Sequence, residues 1–585
     1  MLTRRTHQPA PMSVTCSGRL PAAVMLLLLS STLAGCAQDV GLIDRVQPGA
    51  LHKSVFDGEW YLQRTVVDAP YHVGYTFIGE AEETERVRFE IHENKLVAYR
   101  TYDFIAGTDR AWAAQRPGAP ANGSPVAIWP ITSHFDVVRS YSSTTGEQSN
   151  VLLENTEDRP WYERRYIRVN WSTNLVKGFA FTVDGVPTEP TDFAITDPSD
   201  PDAFTLAWRE AKAATGWRES RDPQQQRDAK SAHYIDFVTR IIAKPEQYAW
   251  WDPWWGPEAW PACWIYGNED CKAAELKVRT ALLKVDTKGD YEPLAYPDNA
   301  IARDADGKAI RVLEKVKIVE ENGVEVAKHD GMVRDPDGVM VRVPFFDRFG
   351  FFRTERYGVD DKYGEVESAR RQYISRWNLW QRSTKDDGTT LPYAGRTPQA
   401  IVYYLSAGFP DALLPAAKQV AAQWDAVFRD TVGALQGKAG ADVAPMFVLK
   451  ANTVTVSTAG VVTDRGQRVG DLRYSLMSYV AKPTRAGLLG YGPSSMDPLT
   501  GEIISAAAHM YGGGLREFAT TGRDLVRLVR GELDPESFGL GDVASAEVKA
   551  ALGKLTPAQL RNPGTGNGGD PKAKRAKRLA ATQAW

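Results

Sequence analysis

The chain has 585 residues, 43% hydrophobic and 24% charged, with a formal charge of −3, which is an ordinary globular composition with room for about three or four domains. Its mildly acidic balance removes the electrostatic case for a nucleic-acid partner. No apolar run reaches the roughly 20 residues of a membrane-crossing helix.

Residues 1–36 read as a targeting segment: Arg4, Arg5 and Arg19 form a basic leader, residues 22–29 a short apolar run, and Leu33-Ala34-Gly35-Cys36 its end. The word LAGC resembles the bacterial lipobox. The resemblance implies cleavage before Cys36 and acylation of that residue, so the partner at this end is a membrane reached through lipid. Ala37 stands where Asp would follow, which by resemblance to known sorting rules favours the outer membrane. A signal peptide cut elsewhere, with Cys36 incidental, is the alternative. The segment holds three Arg and no acid, so its loss takes the formal charge from −3 to −6. Cys16 leaves with it, and Cys263 and Cys271 remain, eight positions apart. In an oxidising compartment a local disulfide is expected of them. A metal site is the rival, but two thiolates leave zinc two ligands short and no His lies near.

Residues 37–55 read as a spacer and 56–200 as one antiparallel β-rich accessory domain. Residues 59–67, 86–93, 96–103 and 162–171 alternate apolar with polar, and Asn94-Lys95 suits a hairpin turn. Residues 201–385 read as a mixed region. Its first part, 201–245, has a helical pattern, with Tyr234, Phe237, Val238 and Ile241 on one stripe. Then Trp250, Trp251, Trp254, Trp255, Trp260 and Trp264 bring together six of the 17 Trp, and Pro253, Pro257 and Pro261 between them predict a proline-braced loop. Such a loop buries its rings against a neighbouring domain or offers them to sugars. Residues 312–319 and 324–329 flank Asn322-Gly323 as a hairpin. Residues 344–358 and 370–380 alternate aromatics with Arg, and 383–396 read as a linker.

Residues 386–560 change character. Residues 400–405 (AIVYYL) form a short β run, and Pro410-Asp411 opens a helix carrying Leu413, Ala417, Val420, Trp424 and Phe428 on one face with Gly433 as its stop. Residues 446–449, 453–462 and 471–480 are strand-like. A tight turn at Thr500-Gly501 leads into an apolar strand, and residues 515–529 form an amphipathic helix ending near Gly531. Residues 561–585 have no core-forming pattern and read as a disordered tail with a basic run.

Two words carry a family resemblance: AIVYYLSAGFPDALLPAAKQVAAQWDAVF at 400–428 and DPLTGEII at 497–504. With them, residues 398–530 resemble the first half of the catalytic domain of bacterial met-zincin zinc metalloproteases (EcxA-type). The resemblance implies an α+β chain, β-rich accessory domain or domains followed by the first half of a metzincin-like α/β protease domain. It implies zinc as cofactor and peptide hydrolysis as the family activity. It also makes Gly501, Glu502, Ile503, Ile504 and Ser505 the edge strand of a substrate cleft, to which a peptide pairs, with an ordinary core strand as the alternative. In the family a later helix supplies HExxH, whose two His hold zinc while the Glu activates water. Here the eight His include no two within four residues of each other. No catalytic residue and no metal ligand is therefore assigned, and His509 and Glu502 have no partners nearby in sequence. The expectation is an exported, lipid-anchored relative that is shortened or catalytically silent. The alternatives are a peptidase with zinc ligands elsewhere, and a non-enzymatic surface lipoprotein that binds glycans or protein through the Trp-rich loop and β domain.

Overall fold

The computed structural model describes residues 42–101, 123–176, 232–252, 256–261, 272–285, 291–294, 352–360, 364–456, 462–464 and 466–532, with short strands between 179 and 341. The leader, Cys36, Cys263, Cys271, Trp254, Trp255, Trp264 and residues 561–585 lie outside them. The described chain is a mixed α/β protein with many strands and few helices.

The first half contributes β1 (Ile43–Asp44), β2 (Leu51–His52), β3 (Glu59–Asp68), β4 (Glu85–Ile91), β5 (Lys95–Arg100), β6 (Pro125–Tyr141), β7 (Gln148–Asn155), β8 (Tyr166–Val169), β9 (Phe179–Ala180) and β10 (Pro187–Ile195). It continues with β11 (Phe204–Arg209), β12 (Trp217–Glu219), β13 (Ala232–Pro245), β14 (Gln247–Asp252), β15 (Gly256–Pro261) and β16 (Ala274–Lys284). All but β14 and β15 share one 14-stranded sheet, ordered β1-β7-β6-β5-β4-β3-β16-β13-β10-β9, with β8 and β2 hung on β6 and β11 and β12 on β13. The sheet curls because β6 changes partner along its length. It pairs with β5, then β8, then β7, with register shifts between Ile131 and Ser133 and between Arg139 and Tyr141. Such irregularities bend a strand and raise its twist. The curl closes over a core that includes Trp60, Leu62, Trp129, Trp171, Phe237 and Leu282.

The middle strands are buried on both faces. Ile235, Phe237 and Leu282 face that core, while Tyr61, Tyr234, Ala281 and Leu283 on the other face pack on Leu472 and Ile504 of the second half. Two expectations are corrected here. The stretch read as helical, Tyr234, Phe237, Val238 and Ile241, lies in β13, paired to β16 over ten residue pairs. A strand buried on both faces is apolar at nearly every position, so a helical spacing appears by coincidence. The large sheet runs across residue 200, since β3 pairs with β16. In the Trp-rich run, Trp250, Trp251 and Trp260 belong to the β14–β15 ladder rather than to a loop. Pro257 and Pro261 are tolerated because β15 is the edge of a two-stranded ribbon.

The second half opens with three hairpins: β17 (Val316–Glu321) with β18 (Val324–His329), β19 (Val333–Arg334) with β20 (Met340–Val341), and β21 (Arg353–Asp360) with β22 (Gly364–Ile374). Next come β23 (Arg376–Trp377), β24 (Ile401–Leu405), helix α1 (Leu414–Gln436), β25 (Phe447–Lys450), the small ladder of β26 (Thr455–Val456) and β27 (Val462–Asp464), β28 (Ser475–Val480), β29 (Gly490–Tyr491), β30 (Ser494–Met496), β31 (Glu502–Tyr511) and helix α2 (Gly512–Val529). Seven of these strands form a mixed sheet ordered β23-β31-β28-β24-β25, with β29 and β30 also on β31. β24, β25, β28 and β31 run parallel to their neighbours in that order, and β29 and β30 run antiparallel to β31.

Helix α1 is the crossover between parallel β24 and β25, as such a connection requires. Pro415 sits in its first turn, and Gly437 closes it at φ 69. The stop is thus four residues past Gly433. Its buried positions are Ala417, Ala421, Val432 and Gly433, so the expected face is only partly inward: Trp424 is 51% exposed. Asp425 ties the helix to β25 by accepting from the backbone N–H of Met446 at 2.6 Å and of Phe447 at 3.0 Å.

Candidate functional site

The turn at 497–501 follows from its residues. The Asp497 carbonyl accepts from the Thr500 and Gly501 N–H groups, and its carboxylate accepts from Leu499 N–H at 2.8 Å, the local bonding that favours Asp at a turn start. Pro498 fixes φ for the second position. Gly501 closes the turn at φ 74, and a Cβ there would lie 2.6 Å from the Ile374 carbonyl oxygen. No residue with a side chain fits both demands. The Gly501 carbonyl then accepts from Arg376 N–H at 3.0 Å, which seats β23 against the start of β31.

The large sheet holds this turn from outside. The Tyr61 hydroxyl donates to Asp497 Oδ2 at 2.9 Å, and Arg86 Nη1 donates to the same oxygen at 2.8 Å. Arg86 is also paired with Glu59 at 2.6 Å. Burial, and then the Asp497 charge, push the Tyr61 hydroxyl well above its ordinary range, so Tyr61 is a permanent donor. Burial works against the Arg86 charge, but Asp497 and Glu59 outweigh it and hold that group above its usual value. Beside them Ser495 Oγ donates to Gln63 Oε1 at 2.8 Å, and Asn378 Nδ2 donates to Glu502 Oε1 at 3.1 Å. Tyr291, under the Arg376 guanidinium, is pushed up to about 12, first by burial.

The run expected at a sheet edge is interior. Gly501 ends the turn, and Glu502, Ile503, Ile504 and Ser505 begin β31, where Ile503 has Met496 on one side and Trp377 on the other. Ser505 faces Ser495. The outer position on that side belongs to β30, which among the described residues pairs with β31 alone. The cause is the short Ser494–Met496 strand, which folds back antiparallel before the turn.

His509 lies within β31 and is 3% exposed. Its ring runs nearly parallel to Tyr491 at 6.3 Å, Gly79 presses on it from the large sheet so closely that a Cβ would come within 2.8 Å, and its Nδ1 has no hydrogen-bond partner. Burial lowers its pKa to about 4. It borders an interfacial cavity of about 40 Å³ that is also lined by Gln63, Thr65, Arg468, Ser495 and Ser505. Among the described residues no three His, Cys, Asp or Glu side chains are grouped so as to hold a metal ion. The arrangement is one of anchoring and burial, in which Asp497 and Glu502 are occupied by Tyr61, Arg86 and Asn378.

Sequence reasoning located the turn but not its anchors. Tyr61, Gln63 and Arg86 sit in β3 and β4, where Tyr61 and Gln63 look like the polar-leaning positions of an alternating strand. No local signal ties them to a turn more than 400 residues later. Comparison with known proteins adds nothing to the geometry: no family model, no curated protein and no solved structure matches the chain.

Proposed function

We propose that this protein is an exported, lipid-anchored envelope protein related to the met-zincin zinc metalloproteases, and that its 585 residues supply the peptide-facing sheet of such an enzyme without its zinc chemistry. The observation that carries the reading is the Asp497–Gly501 turn delivering β31 between parallel β28 and antiparallel β30. The order of strand, helix, two strands, antiparallel strand, turn, strand and helix through β24, α1, β25, β28, β30, β31 and α2 supports it as well. So does the run of residues 400–428 as β24 and α1. In this reading the backbone open to an added peptide is that of Ser494–Met496, because β31 is flanked on both sides. Hydrolysis needs an activated water, and the sequence contains no HExxH to hold the ion that would supply one.

The test is the purified 585-residue protein, dialysed, assayed for zinc and offered casein with and without chelator. The reading expects neither bound zinc nor cleavage. Near-stoichiometric zinc, or cleavage that a chelator stops, overturns it. Labelling of cells with radioactive palmitate tests the anchor separately and is expected to be lost in Cys36→Ala.

A second reading, a surface lipoprotein that binds glycans, is favoured by one observation: Trp260 in the β14–β15 ribbon is 42% exposed. Glycan-array binding that disappears in Trp260→Ala would promote it.

A further inference from the structure

We propose that helix α2 lies on an anionic phospholipid surface, with its apolar stripe in the acyl boundary and its arginines among the phosphates. The proposal draws on the envelope location proposed above only for which membrane this is; the helix geometry stands apart from it.

The helix is built to leave the body of the protein. Its first turn is Gly512-Gly513-Gly514, where a Cβ would overlap Tyr479, Pro483 and the Leu488 carbonyl respectively, so the glycines let this turn seat directly on the end of the mixed sheet. Gly512, in that turn, is the one buried residue of the helix. The apolar side chains that follow stand in solvent: Phe518 is 67% exposed and Val529 81%, with Leu525 and Val526 at 50% each.

At 100° per residue, Leu515, Phe518, Leu525, Val526 and Val529 fall on one stripe about 100° wide. Arg516, Arg523, Arg527 and Arg530 are spaced 7, 4 and 3 apart, which puts all four on a single line along one flank of that stripe. The acids Glu517 and Asp524 lie opposite the apolar side, and Asp524 takes ion pairs from Arg523 at 2.8 Å and Arg527 at 3.4 Å. Four Arg against two acids leave residues 512–530 with two net positive charges in a chain whose total is −3. Arg stems reach along apolar surface while their heads stay with water or phosphate. An apolar stripe flanked by an Arg row is the pattern of a helix that rests in a membrane interface. Crossing is a different matter, since no described helix is long and apolar enough to span a bilayer. A second copy, or another stretch of this same chain, would also cover the apolar stripe, but neither calls for four arginines in register along its border. Phosphate headgroups do.

The experiment uses the full chain carrying Cys36→Ala, so that an acyl anchor contributes nothing, and follows amide hydrogen exchange over residues 512–530 with vesicles of phosphatidylcholine alone or with phosphatidylglycerol. Without lipid the amides are expected to be slowed only by the helix's own hydrogen bonds, and to exchange more slowly still on anionic vesicles. Phe518→Ser with Val529→Ser is expected to weaken vesicle binding by at least about ten-fold with melting unchanged, since both side chains are exposed. Arg523→Gln, Arg527→Gln and Arg530→Gln together are expected to cost about ten-fold or more on anionic vesicles and little on neutral ones. Exchange over residues 512–530 that anionic vesicles leave unchanged means that the stripe does not meet lipid, and vesicle binding untouched by the double Ser variant means that another part of the chain carries it. Either result overturns the proposal, and neither bears on palmitate labelling or zinc content.

Discussion

Asp497 and Arg86 lie 411 residues apart in the chain and 2.8 Å apart in the fold. The Asp497 side chain is 4% exposed and that of Arg86 14%, so the pair is shielded from solvent and from salt. Removing one partner of such a pair leaves an uncompensated charge, at a cost of about 3 kcal/mol or more. Arg86→Ala is therefore expected to destabilise the protein by about 2–4 kcal/mol, less than a fully buried pair because Tyr61 still donates to the carboxylate. A double-mutant cycle with Asp497→Asn, read by denaturant unfolding, is expected to give a coupling of about 1–3 kcal/mol. Additive single effects would mean that the turn is held by its own backbone alone.

Gly501 and Gly146 separate two kinds of glycine requirement. Both have positive φ, 74 and 71, but a Cβ at Gly501 meets the Ile374 carbonyl while one at Gly146 meets nothing within 4 Å. Gly146→Ala is expected to cost about 1 kcal/mol, the backbone penalty alone. Gly501→Ala adds a steric collision that pushes β23 from β31, and is expected to cost at least about 2 kcal/mol more. Equal losses in unfolding midpoint would show that the approach to Ile374 is not constraining.

What the sequence disclosed depended on how many faces each element buries. Residues 86–93 alternate because one face, with Val87, Phe89 and Ile91, meets the core; they fold into β4, which His92 and Lys95 join to β5 through the turn. β13 does not alternate, because Phe237 faces the Trp129 core while Tyr234 meets the second half, and nothing in its own residues announces the second partner. The Asp497–Gly501 turn was legible because Asp, Pro and Gly each serve a local need. The anchors Tyr61 and Arg86 were not, because their role exists only once two distant sheets have met.

The same meeting surface holds a buried ion network that should behave unlike surface pairs. Asp236 is fully buried; it accepts from the Tyr234 hydroxyl at 2.8 Å and lies 3.0 Å from both Arg279 and Arg468. Asp471, paired with Arg473 at 2.6 Å, extends it. Asp236→Asn keeps the shape but strips the charge that two guanidinium groups face, and is expected to cost about 3–5 kcal/mol. That loss should barely change between low and high salt, because buried pairs are poorly screened. A loss that vanishes in high salt would sink this view. Burial opposes the Asp471 charge, but Arg473, Arg468 and Arg279 outweigh it and keep its carboxyl below the ordinary range. Its contribution is thus complete above the unfolded carboxyl pKa and is lost as pH falls through the lower folded one.

His509 sets an acid sensitivity at higher pH than any carboxylate. Its folded pKa is lowered to about 4 from an ordinary 6.5, so between those values the unfolded chain binds a proton that the folded protein refuses. Stability therefore rises with pH across this window, is fully present above about 6.5, and falls as the solution is acidified towards 4. The gap sets a ceiling of about 3 kcal/mol for this one residue. Tyr491 lies alongside the ring and Gly79 presses on it, while Gln63, Thr65, the cationic Arg468 and Asp471 share its cavity, the Asp471 carboxylate being already paired with Arg473 at 2.6 Å. His509→Gln removes the titration while keeping a polar group in the same space. It is expected to reduce the slope of the unfolding free energy between pH 6.5 and 4 relative to the parent protein, the slope that remains there coming from His134, whose pKa burial also lowers. A variant whose profile tracks the parent's through that window would assign the acid sensitivity to another group.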